Sequence, residues 1–465
     1  MQQRFLDTLR CPFCQRGFQY TPSSLQPLAG SDFGVLSCGV HEYPVVDGIA
    51  IIRDGRIDAQ DHCSDYVEVE GPSVGELLAI VKSSDPLDAL VRLLAFPPSV
   101  PLGLEKRRRL RTPFTRGPVG NALMNSRRKQ VREWLEAPLE QQTAQQWMEL
   151  FYLKSRYAMR EMYPYFFLRF GQPRYLASLG LASAIPAAER PLLDLACGLG
   201  HIMHYLSVRE NPIYSIGVDR NFFQLWIGRR FVAPDSSSYV CADALKPLPF
   251  KDDAFSVSMC TDAFHLLSDQ KACLDELKRC AVDDTVVIDR IGNGLLEPRD
   301  TEFERSPAGY AELIGDTPYR MVSEKDLLSR YLEGRGPALA TFQAPAAFND
   351  DKWLSLVISK SSKLFVDHGA FKQPPHGEGP LGLNPVYRVE PKGAQVRLMF
   401  EFPSTWYAFE NWGMLEYHAY GLRLERLQFD ALVRGSAADK ASTSEFVRRF
   451  VLLGLPERYA KRPAI

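Results

Sequence analysis

The chain has 465 residues, of which 45% are apolar and 24% are charged, and its net charge is −1. These values are ordinary for a globular protein of two or three domains, and they exclude general electrostatic attraction to nucleic acid or membranes. No apolar run approaches the length of a membrane-spanning helix, and the first residues lack the apolar core of a signal peptide. We therefore expect a cytoplasmic enzyme without a membrane span.

The first 56 residues contain two short pairs of candidate metal ligands. Cys11 and Cys14 form C-P-x-C, and Cys38 and His41 form C-x2-H. The nine cysteines are odd in number and irregularly spaced, which argues against a disulfide framework. Thiolates and an imidazole suit tetrahedral Zn²⁺, and a head this small needs metal binding to supply folding energy. The spacing predicts a zinc site.

The sequence around these ligands, "RCPFC" and "LSCGVHEYPVVDGIAII", resembles the small zinc-ribbon proteins that activate tRNA and translation-factor methyltransferases. In that family the fourth ligand is Cys or an acidic residue, and here His41 stands at that position. His62 and Cys63 offer a rival fourth ligand. The resemblance implies a ribbon that covers apolar surface or a sheet edge of a catalytic domain without touching substrate.

Residues 57–150 form a predicted helical and basic linking region. An amphipathic helix is predicted at 75–96, and ten Lys or Arg with no Asp or Glu lie between Lys106 and Arg132. Such a run fits phosphate contacts, an anionic small substrate or a solvated face. The aromatic segment 151–175 that follows is predicted to be helical, either as a lid over the active site or as a helix packed on the sheet.

From residue 191 the pattern alternates between strands and helices, which predicts a parallel sheet covered on both faces. A capped helix at 323–334, two further strands and a hairpin at 386–402 follow. The final part, 362–465, is predicted to be an α+β extension of unknown role. It either closes the substrate pocket, forms an oligomer contact or simply packs as an extension. The predicted strands are 191–196, 213–219, 238–243, 254–260, 284–290, 339–345 and 352–360.

A glycine-rich turn, "PLLDLACGLGHIM", ends the first of these strands. Ligands of open parallel sheets bind beyond the carboxyl ends of the strands, so Gly198 and Gly200 mark that place. Met203 stands where a dinucleotide fingerprint requires a small residue, which disfavours NAD or FAD. Asp219 ends the second strand and Asp243 the third, where carboxylates can accept from ribose hydroxyls and from an adenine amino group.

Four segments in order resemble the class I S-adenosylmethionine-dependent methyltransferases, especially the ubiquinone and menaquinone biosynthesis group. They are "LLDLACGLG", "GVDRN", "CADA" and "LPFKDDAFSVSMCTDAFHLL". The resemblance covers about residues 150–360 and implies a Rossmann-like, seven-stranded sheet. Ala196 stands at a position that is often Gly in this family, and its small size predicts little loss.

The resemblance also implies roles for individual residues. Asp194 lies near the amino acid end of the cofactor, Asp219 holds the ribose and Asp243 the adenine. Thr261 and Asp262 face the cofactor and the substrate entrance. Candidate cofactor-binding residues are Asp194, Ala196, Cys197, Gly198, Gly200, Asp219, Arg220, Asp243, Ala244 and Thr261.

Methyl transfer depends mainly on holding the nucleophile and the methyl carbon in line, with a base where the nucleophile must lose a proton. The candidate catalytic residues are His265, as the base, and Asp262. A histidine packed beneath the sheet edge is the alternative for His265. His201 and His204 share one helical face and could bind a metal. The simpler prediction is that one lines the pocket and the other packs.

We therefore predict transfer of a methyl group to a small molecule, a natural-product, quinone-like or lipid-like O or C nucleophile. An RNA methyltransferase is the alternative, because one family of ribosomal RNA guanine methyltransferases carries a zinc ribbon before the same fold. A non-catalytic cofactor-binding scaffold and a use of the cofactor other than methyl transfer also stay open. The predicted domains are 1–56 (ribbon), 57–150 (linking), 151–361 (methyltransferase) and 362–465 (extension).

Overall fold

A computed structural model describes residues 1–57, 66–67, 71–95, 100–101, 117–153, 161–233, 236–433 and 440–461. The α-helices are α1 Gln3–Leu6, α2 Val74–Val81, α3 Leu87–Leu94, α4 Gly117–Glu136, α5 Ala144–Met148, α6 Met162–Phe167, α7 Pro173–Ala184, α8 His201–Val208, α9 Phe222–Ile227, α10 Gln270–Cys280, α11 Pro307–Ile314, α12 Glu324–Leu332, α13 Thr405–Glu410, α14 Arg426–Val433 and α15 Lys440–Arg448. The strands are β1 Gln19–Pro22, β2 Gly34–Ser37, β3 Glu42–Val46, β4 Ile49–Ile51, β5 Tyr66–Val67, β6 Val100–Pro101, β7 Leu192–Leu195, β8 Ser215–Asp219, β9 Ser237–Cys241, β10 Val257–Thr261, β11 Val286–Gly292, β12 Tyr319–Ser323, β13 Trp353–Ile358, β14 Leu381–Leu383, β15 Tyr387–Lys392, β16 Gln395–Phe400, β17 Leu422–Glu425 and β18 Leu452–Gly454.

The main sheet has eleven strands in the described residues, in the order β1-β2-β3-β4-β9-β8-β7-β10-β11-β13-β12. The prediction of a separate seven-stranded sheet is therefore corrected. The run from β9 to β12 contains seven strands, of which only β13 is antiparallel to its neighbours. The other four strands come from the N-terminal head and pair antiparallel among themselves.

The head joins the sheet because β4 pairs in parallel with β9, with Ile51 opposite Cys241. The amide of Ile52 continues this pairing to the Cys241 carbonyl oxygen at 3.0 Å. Edge strands expose unpaired backbone groups, and here each edge satisfies the other. The head thus covers the β9 edge of the sheet by adding a strand to it, which is one of the two roles predicted for the ribbon.

A buried ion pair fixes the head against helix α9. Asp47, fully buried between β3 and β4, accepts from Trp226 Nε1 at 2.8 Å and from Arg230 Nε at 2.7 Å. The next residue, Gly48, has φ +77°, and a Cβ there would lie 2.3 Å from Arg229 Nε. The Asp-Gly pair of "YPVVDGI" is thus explained by docking, since only glycine leaves room for that arginine.

Two predicted elements differ from the structure. The helix predicted at 75–96 is two helices, α2 and α3, because Pro86 cannot continue the first of them. The strand predicted at 339–345 is wrong: that stretch is irregular, and β12 pairs with β13 in its place. Local composition did not distinguish these segments, since pairing partners decide which apolar run becomes a strand.

The C-terminal residues pack over the aromatic segment rather than standing apart. Their predicted hairpin is confirmed as β15 and β16. Tyr459 Oη donates to the carbonyl oxygens of Phe166 and Phe167 at 3.0 and 3.1 Å. Within the described residues no helix is both long and apolar enough to cross a membrane.

Candidate active site

A cleft opens at the carboxyl ends of β7, β8, β9 and β10 and has two adjoining parts. The outer part, with a volume of about 340 Å³, is lined by residues that follow β8 and β9. The inner part lies between the glycine turn and the aromatic segment. Ala196 and Ala263 line both parts, so the two parts adjoin at these residues.

Carboxylates held by backbone amides form the outer part. Asp219 accepts from the amide of Gly198 at 3.0 Å on one oxygen and from that of Asn221 at 2.8 Å on the other. Asp243 accepts from the amide of Leu245 at 2.9 Å. Each carboxylate oxygen has room for a second hydrogen bond, so both side chains are oriented with acceptor capacity left for ligand hydroxyl or amino groups. Arg220, Ala244 and Phe303 complete the lining.

The glycine turn needs its glycines. Gly198 and Gly200 have φ of +54° and +75°, and a Cβ on Gly200 would lie 3.1 Å from Tyr239 Oη. Met203 replaces the third small residue of a dinucleotide fingerprint, and its bulk is accommodated by Gly217 in β8. A Cβ on Gly217 would lie 2.7 Å from Met203 Sδ, so the small residue required for close helix–strand packing stands on the strand.

The backbone of Ala196 has an unfavourable conformation, which the small size of alanine did not predict. Its φ is +57°, in the left-handed region that non-glycine residues occupy at a cost of about 1–2 kcal/mol. The expectation that alanine brings little loss is corrected, because the conformation rather than the side-chain volume determines the cost.

Two buried side chains that line the inner part each have one polar atom without a hydrogen-bond partner among the described residues. Asp194 is buried, and within the described residues its Oδ1 has no hydrogen-bond partner. Burial, and then the nearby Asp219, raise its pKa to about 7. Arg169 donates from Nη2 to Asp262 at 2.9 Å, while its buried Nη1 has no partner among the same residues. An acceptor and a cationic donor lining one small pocket match the ammonium and carboxylate of an α-amino acid.

Asp262 stands at the centre of an arginine cluster. Its carboxylate lies 2.6 Å from Arg290, 2.9 Å from Arg169 and 3.5 Å from Arg174, and it accepts from Tyr165 Oη at 2.9 Å. Burial alone would raise the pKa of Asp262, but the arginines outweigh it and hold the pKa well below its usual range. A carboxylate held ionised in this way is suited to positioning the arginines and Tyr165 around it, and the listing of Asp262 as a catalytic residue stays a prediction.

Arg290 completes the cluster from a strained position. It lies in a bulge of β11 between Ile288 and Ile291, has φ +52°, and stacks 3.6 Å above the Trp353 ring. Its Nε lies 3.0 Å from Glu324. Strain of this kind persists only where surrounding contacts impose it, and here the ring and two carboxylates do so.

His265 is buried beside the cleft, and its side chain is not among those lining either part. Its ring packs edge-on against Trp353 at 5.5 Å, and its Nε2 lies 3.9 Å from Asp300. This placement favours the alternative of a packed histidine over the predicted base. Thr261 and Cys197 do line the inner part.

His201 and His204 are placed as the simpler prediction has them. His201 lines the inner part, with Nε2 3.1 Å from the Phe166 carbonyl oxygen. His204 Nδ1 lies 3.2 Å from the Val232 carbonyl oxygen. Burial lowers the pKa of His204 to about 4 and that of His201 well below its usual value, so both rings are neutral at pH 7.

The Cys/His residues of the head form one compact cluster. Ligand atoms of Cys11, Cys14, Cys38 and His41 all lie within 4.8 Å of one another. The Cys14–Cys38 and Cys11–His41 contacts are both 3.5 Å, and Cys38–His41 is 3.7 Å. Tetrahedral Zn²⁺ requires ligand–ligand distances of about 3.6–3.8 Å. The geometry fits zinc, while the rival ligands His62 and Cys63 lie outside the described residues.

Sequence reasoning missed the residues that close the inner part. Arg169 and Arg174 belong to the aromatic segment, and Arg290 lies within β11, the fifth strand of the methyltransferase part. A run of arginines beside aromatic residues carries no signal of a shared carboxylate. Only the topology, which brings these elements together at Asp262, identifies them.

Comparison with known proteins identifies a known domain in part of the main sheet. Residues 193–288 match the profile of a family described as Methyltransferase domain. The chain is an S-adenosylmethionine-dependent methyltransferase. No curated protein sequence matches it.

Solved structures with a similar fold include several methyltransferases. One is the complex of the Haloferax volcanii Trm112 methyltransferase activator with a candidate methyltransferase (16% identity, TM-score 0.31, covering 41% of this chain and 90% of that one). Others are the plantazolicin methyltransferase BamL with a substrate analogue and S-adenosylhomocysteine (12%, 0.30, 42% and 86%) and the YcgJ protein of Bacillus subtilis (18%, 0.28, 40% and 99%). The assignment of a methyltransferase domain rests on the family match over residues 193–288.

Proposed function

We propose that this methyltransferase acts on a small molecule, a natural-product or quinone-like O or C nucleophile. S-adenosylmethionine, when bound, supplies an electrophilic methyl group on its sulfonium. The observation that carries the binding mode is a pair of buried polar atoms that have no partner among the described residues and belong to side chains lining the inner part, Asp194 Oδ1 and Arg169 Nη1. Asp194 would accept from the ammonium and Arg169 would donate to the carboxylate, while Asp219 and Asp243 hold the nucleoside in the outer part.

The covering of the inner part supports a small acceptor. Tyr165 and Phe166 line it, and the C-terminal extension contacts its surroundings: Tyr459 donates to the Phe166 carbonyl oxygen at 3.0 Å, and Glu410 lies 2.8 Å from Arg174. Such a covered site excludes water and aligns a small nucleophile, so positioning supplies much of the rate.

The RNA alternative draws less support from the described residues. In α4, Arg132 pairs with Asp85 at 2.8 Å, and Arg127 donates to the Leu150 carbonyl oxygen at 3.2 Å. Basic side chains engaged within the protein are poor phosphate contacts. Residues 102–116, which hold most of the predicted basic run, lie outside the described residues.

The first experiment separates these acceptors. The protein is incubated with methyl-labelled S-adenosylmethionine and a cell extract, and the label is measured in small-molecule, protein and RNA fractions. We expect label in an organic-soluble product. Label in RNA that nuclease removes would contradict the proposal, and absence of transfer despite cofactor binding would favour the scaffold hypothesis.

Cofactor binding is tested separately with two ligands, adenosine and S-adenosylhomocysteine. An Arg169→Leu substitution should weaken the binding of S-adenosylhomocysteine about 10- to 100-fold and leave the binding of adenosine unchanged. Only S-adenosylhomocysteine carries a carboxylate. Equal losses for both ligands would place Arg169 outside the amino acid site.

A further inference from the structure

Large aromatic side chains are exposed on and beside helix α13. Trp406, Phe409 and Trp412 have 42%, 77% and 65% of their surface exposed. Trp406 and Phe409 are three residues apart and therefore share one side of the helix. Exposed apolar groups that cluster in this way mark interaction sites more often than scattered ones do.

The helix that carries these rings is firmly held. Ser404 caps it by accepting from the Tyr407 amide at 3.1 Å, and donates in turn to Glu161 at 2.6 Å. On the opposite side Tyr407 is fully buried, and its hydroxyl accepts from Gln172 at 3.3 Å. The exposed rings are therefore displayed by a fixed element.

This aromatic surface continues into the methyl-donor cleft. The Trp406 ring lies 6.5 Å from the ring of Tyr165, which lines the inner part and donates to Asp262. Glu410, on the same side of α13, lies 2.8 Å from Arg174, and Arg174 reaches Asp262 at 3.5 Å. One ring contact and one ion-pair chain thus connect α13 to the cleft.

The charge of the surface identifies its ligand. From residue 402 to residue 422 the chain has no Lys or Arg and two acidic residues, Glu410, which is paired with Arg174, and Glu416. Phosphate groups of RNA and of anionic lipids need cations, so this face suits neither. Flat, uncharged rings stack with planar aromatic molecules.

We infer that Trp406 and Phe409 form the binding surface for the methyl acceptor, and that this acceptor is an uncharged planar aromatic or quinone-like molecule. The inference rests on the proposed function and adds to it the acceptor class and the residues that recognise it. Stacking on α13 directs the nucleophile past Tyr165 toward the inner part. Its attack forms the bond to the methyl carbon while the C–S bond breaks, the electron pair stays on sulfur, and the nucleophile's proton goes to solvent.

The test uses 2-naphthol as a probe of the full-length protein loaded with S-adenosylhomocysteine. We expect saturable 1:1 binding that Trp406→Ala and Phe409→Ala each weaken at least tenfold. The matched control is Leu427→Ala, which removes an apolar side chain from a residue that is 85% exposed in another helix, and it should change nothing. Affinity for S-adenosylhomocysteine should be the same in all four proteins.

Three outcomes would overturn the inference while leaving the proposed function in place. They are S-adenosylhomocysteine binding without saturable naphthol binding, naphthol affinity equal in the wild type and both variants, and a wild-type dimer that Phe409→Ala dissociates in sedimentation. Binding to phosphatidylglycerol vesicles that the same variant abolishes would also overturn it. Failure of S-adenosylhomocysteine itself to bind would instead count against the proposed function.

Discussion

The outer and inner parts of the cleft are built in different ways. In the outer part, each carboxylate is held by amides only two residues away or across one strand, as Asp219 is by Asn221 and Gly198. In the inner part, the charged groups come from elements far apart in the chain, as Arg169 and Arg290 meet at Asp262. Local backbone geometry thus arranges the outer part, where we propose that the nucleoside binds, and long-range ion pairs arrange the inner part, the proposed site of the amino acid end.

Because the two parts are built differently, we expect substitutions in one part to affect different properties from substitutions in the other. Changes near β9 should affect nucleoside binding, and changes in the arginine cluster should affect both folding and the amino acid end. The head belongs to the first group, because β4 continues the sheet beside β9.

Removal of the metal should have the largest effect. We expect about one zinc per chain, lost in a Cys11→Ser/Cys14→Ser variant, which should unfold the head because metal binding contributes on the order of 10 kcal/mol in such small sites. Elemental analysis and limited proteolysis at residues 1–57 measure both results. Wild-type protein free of metal, with a protease-resistant head, would contradict the prediction.

Replacement of Asp262 should have the next largest effect. Asp262→Asn leaves three arginines around a neutral amide and should lower the free energy of unfolding by about 3–5 kcal/mol, measured by urea denaturation. Asp275→Asn, which breaks a surface pair with Lys271, should cost less than about 0.5 kcal/mol. Similar values for the two variants would show that the cluster does not stabilise the inner part.

Replacement of Asp219 should affect the outer part alone. Asp219→Ala removes charge-assisted hydrogen bonds. It should weaken the affinity for both adenosine and S-adenosylhomocysteine about 10- to 100-fold, as measured by titration calorimetry. A loss confined to S-adenosylhomocysteine would contradict the assignment of the two parts.

The protonation of Asp194 should make cofactor affinity depend on pH. Its pKa is raised to about 7, and the ammonium group requires the ionised carboxylate. Affinity for S-adenosylhomocysteine should therefore fall as the pH drops below about 7, by up to tenfold per unit, and binding should release protons there. Asp194→Asn should remove this dependence, whereas a retained slope would assign it to another group.

The same group makes stability depend on pH in the opposite direction. Its folded pKa lies above the unfolded value, so the folded protein without cofactor binds more protons between about pH 4 and pH 7 and loses stability as the pH rises through that window. In the Asp194→Asn variant, the midpoint temperature of thermal unfolding should depend less on pH over this range.

The smallest effect is expected at the glycine turn. Ala196→Gly removes a left-handed alanine and should raise the free energy of unfolding by about 1 kcal/mol or less, since glycine also gains entropy in the unfolded chain. A loss of stability would show that the Ala196 methyl group contributes packing that outweighs the strain.

The sequence by itself determined the strands of the cofactor-binding half, the glycine turn and the carboxylates of the outer part, because these depend on residues close together in the chain. It also predicted the four-residue cluster of the head, since two turns with short ligand pairs need only one contact to assemble. The tertiary structure alone decided that β4 would continue the sheet and that Asp262 would be enclosed by arginines. Both depend on contacts between segments that local sequence patterns do not relate, and the arginines that these contacts bring to Asp262 hold its carboxylate ionised despite its burial.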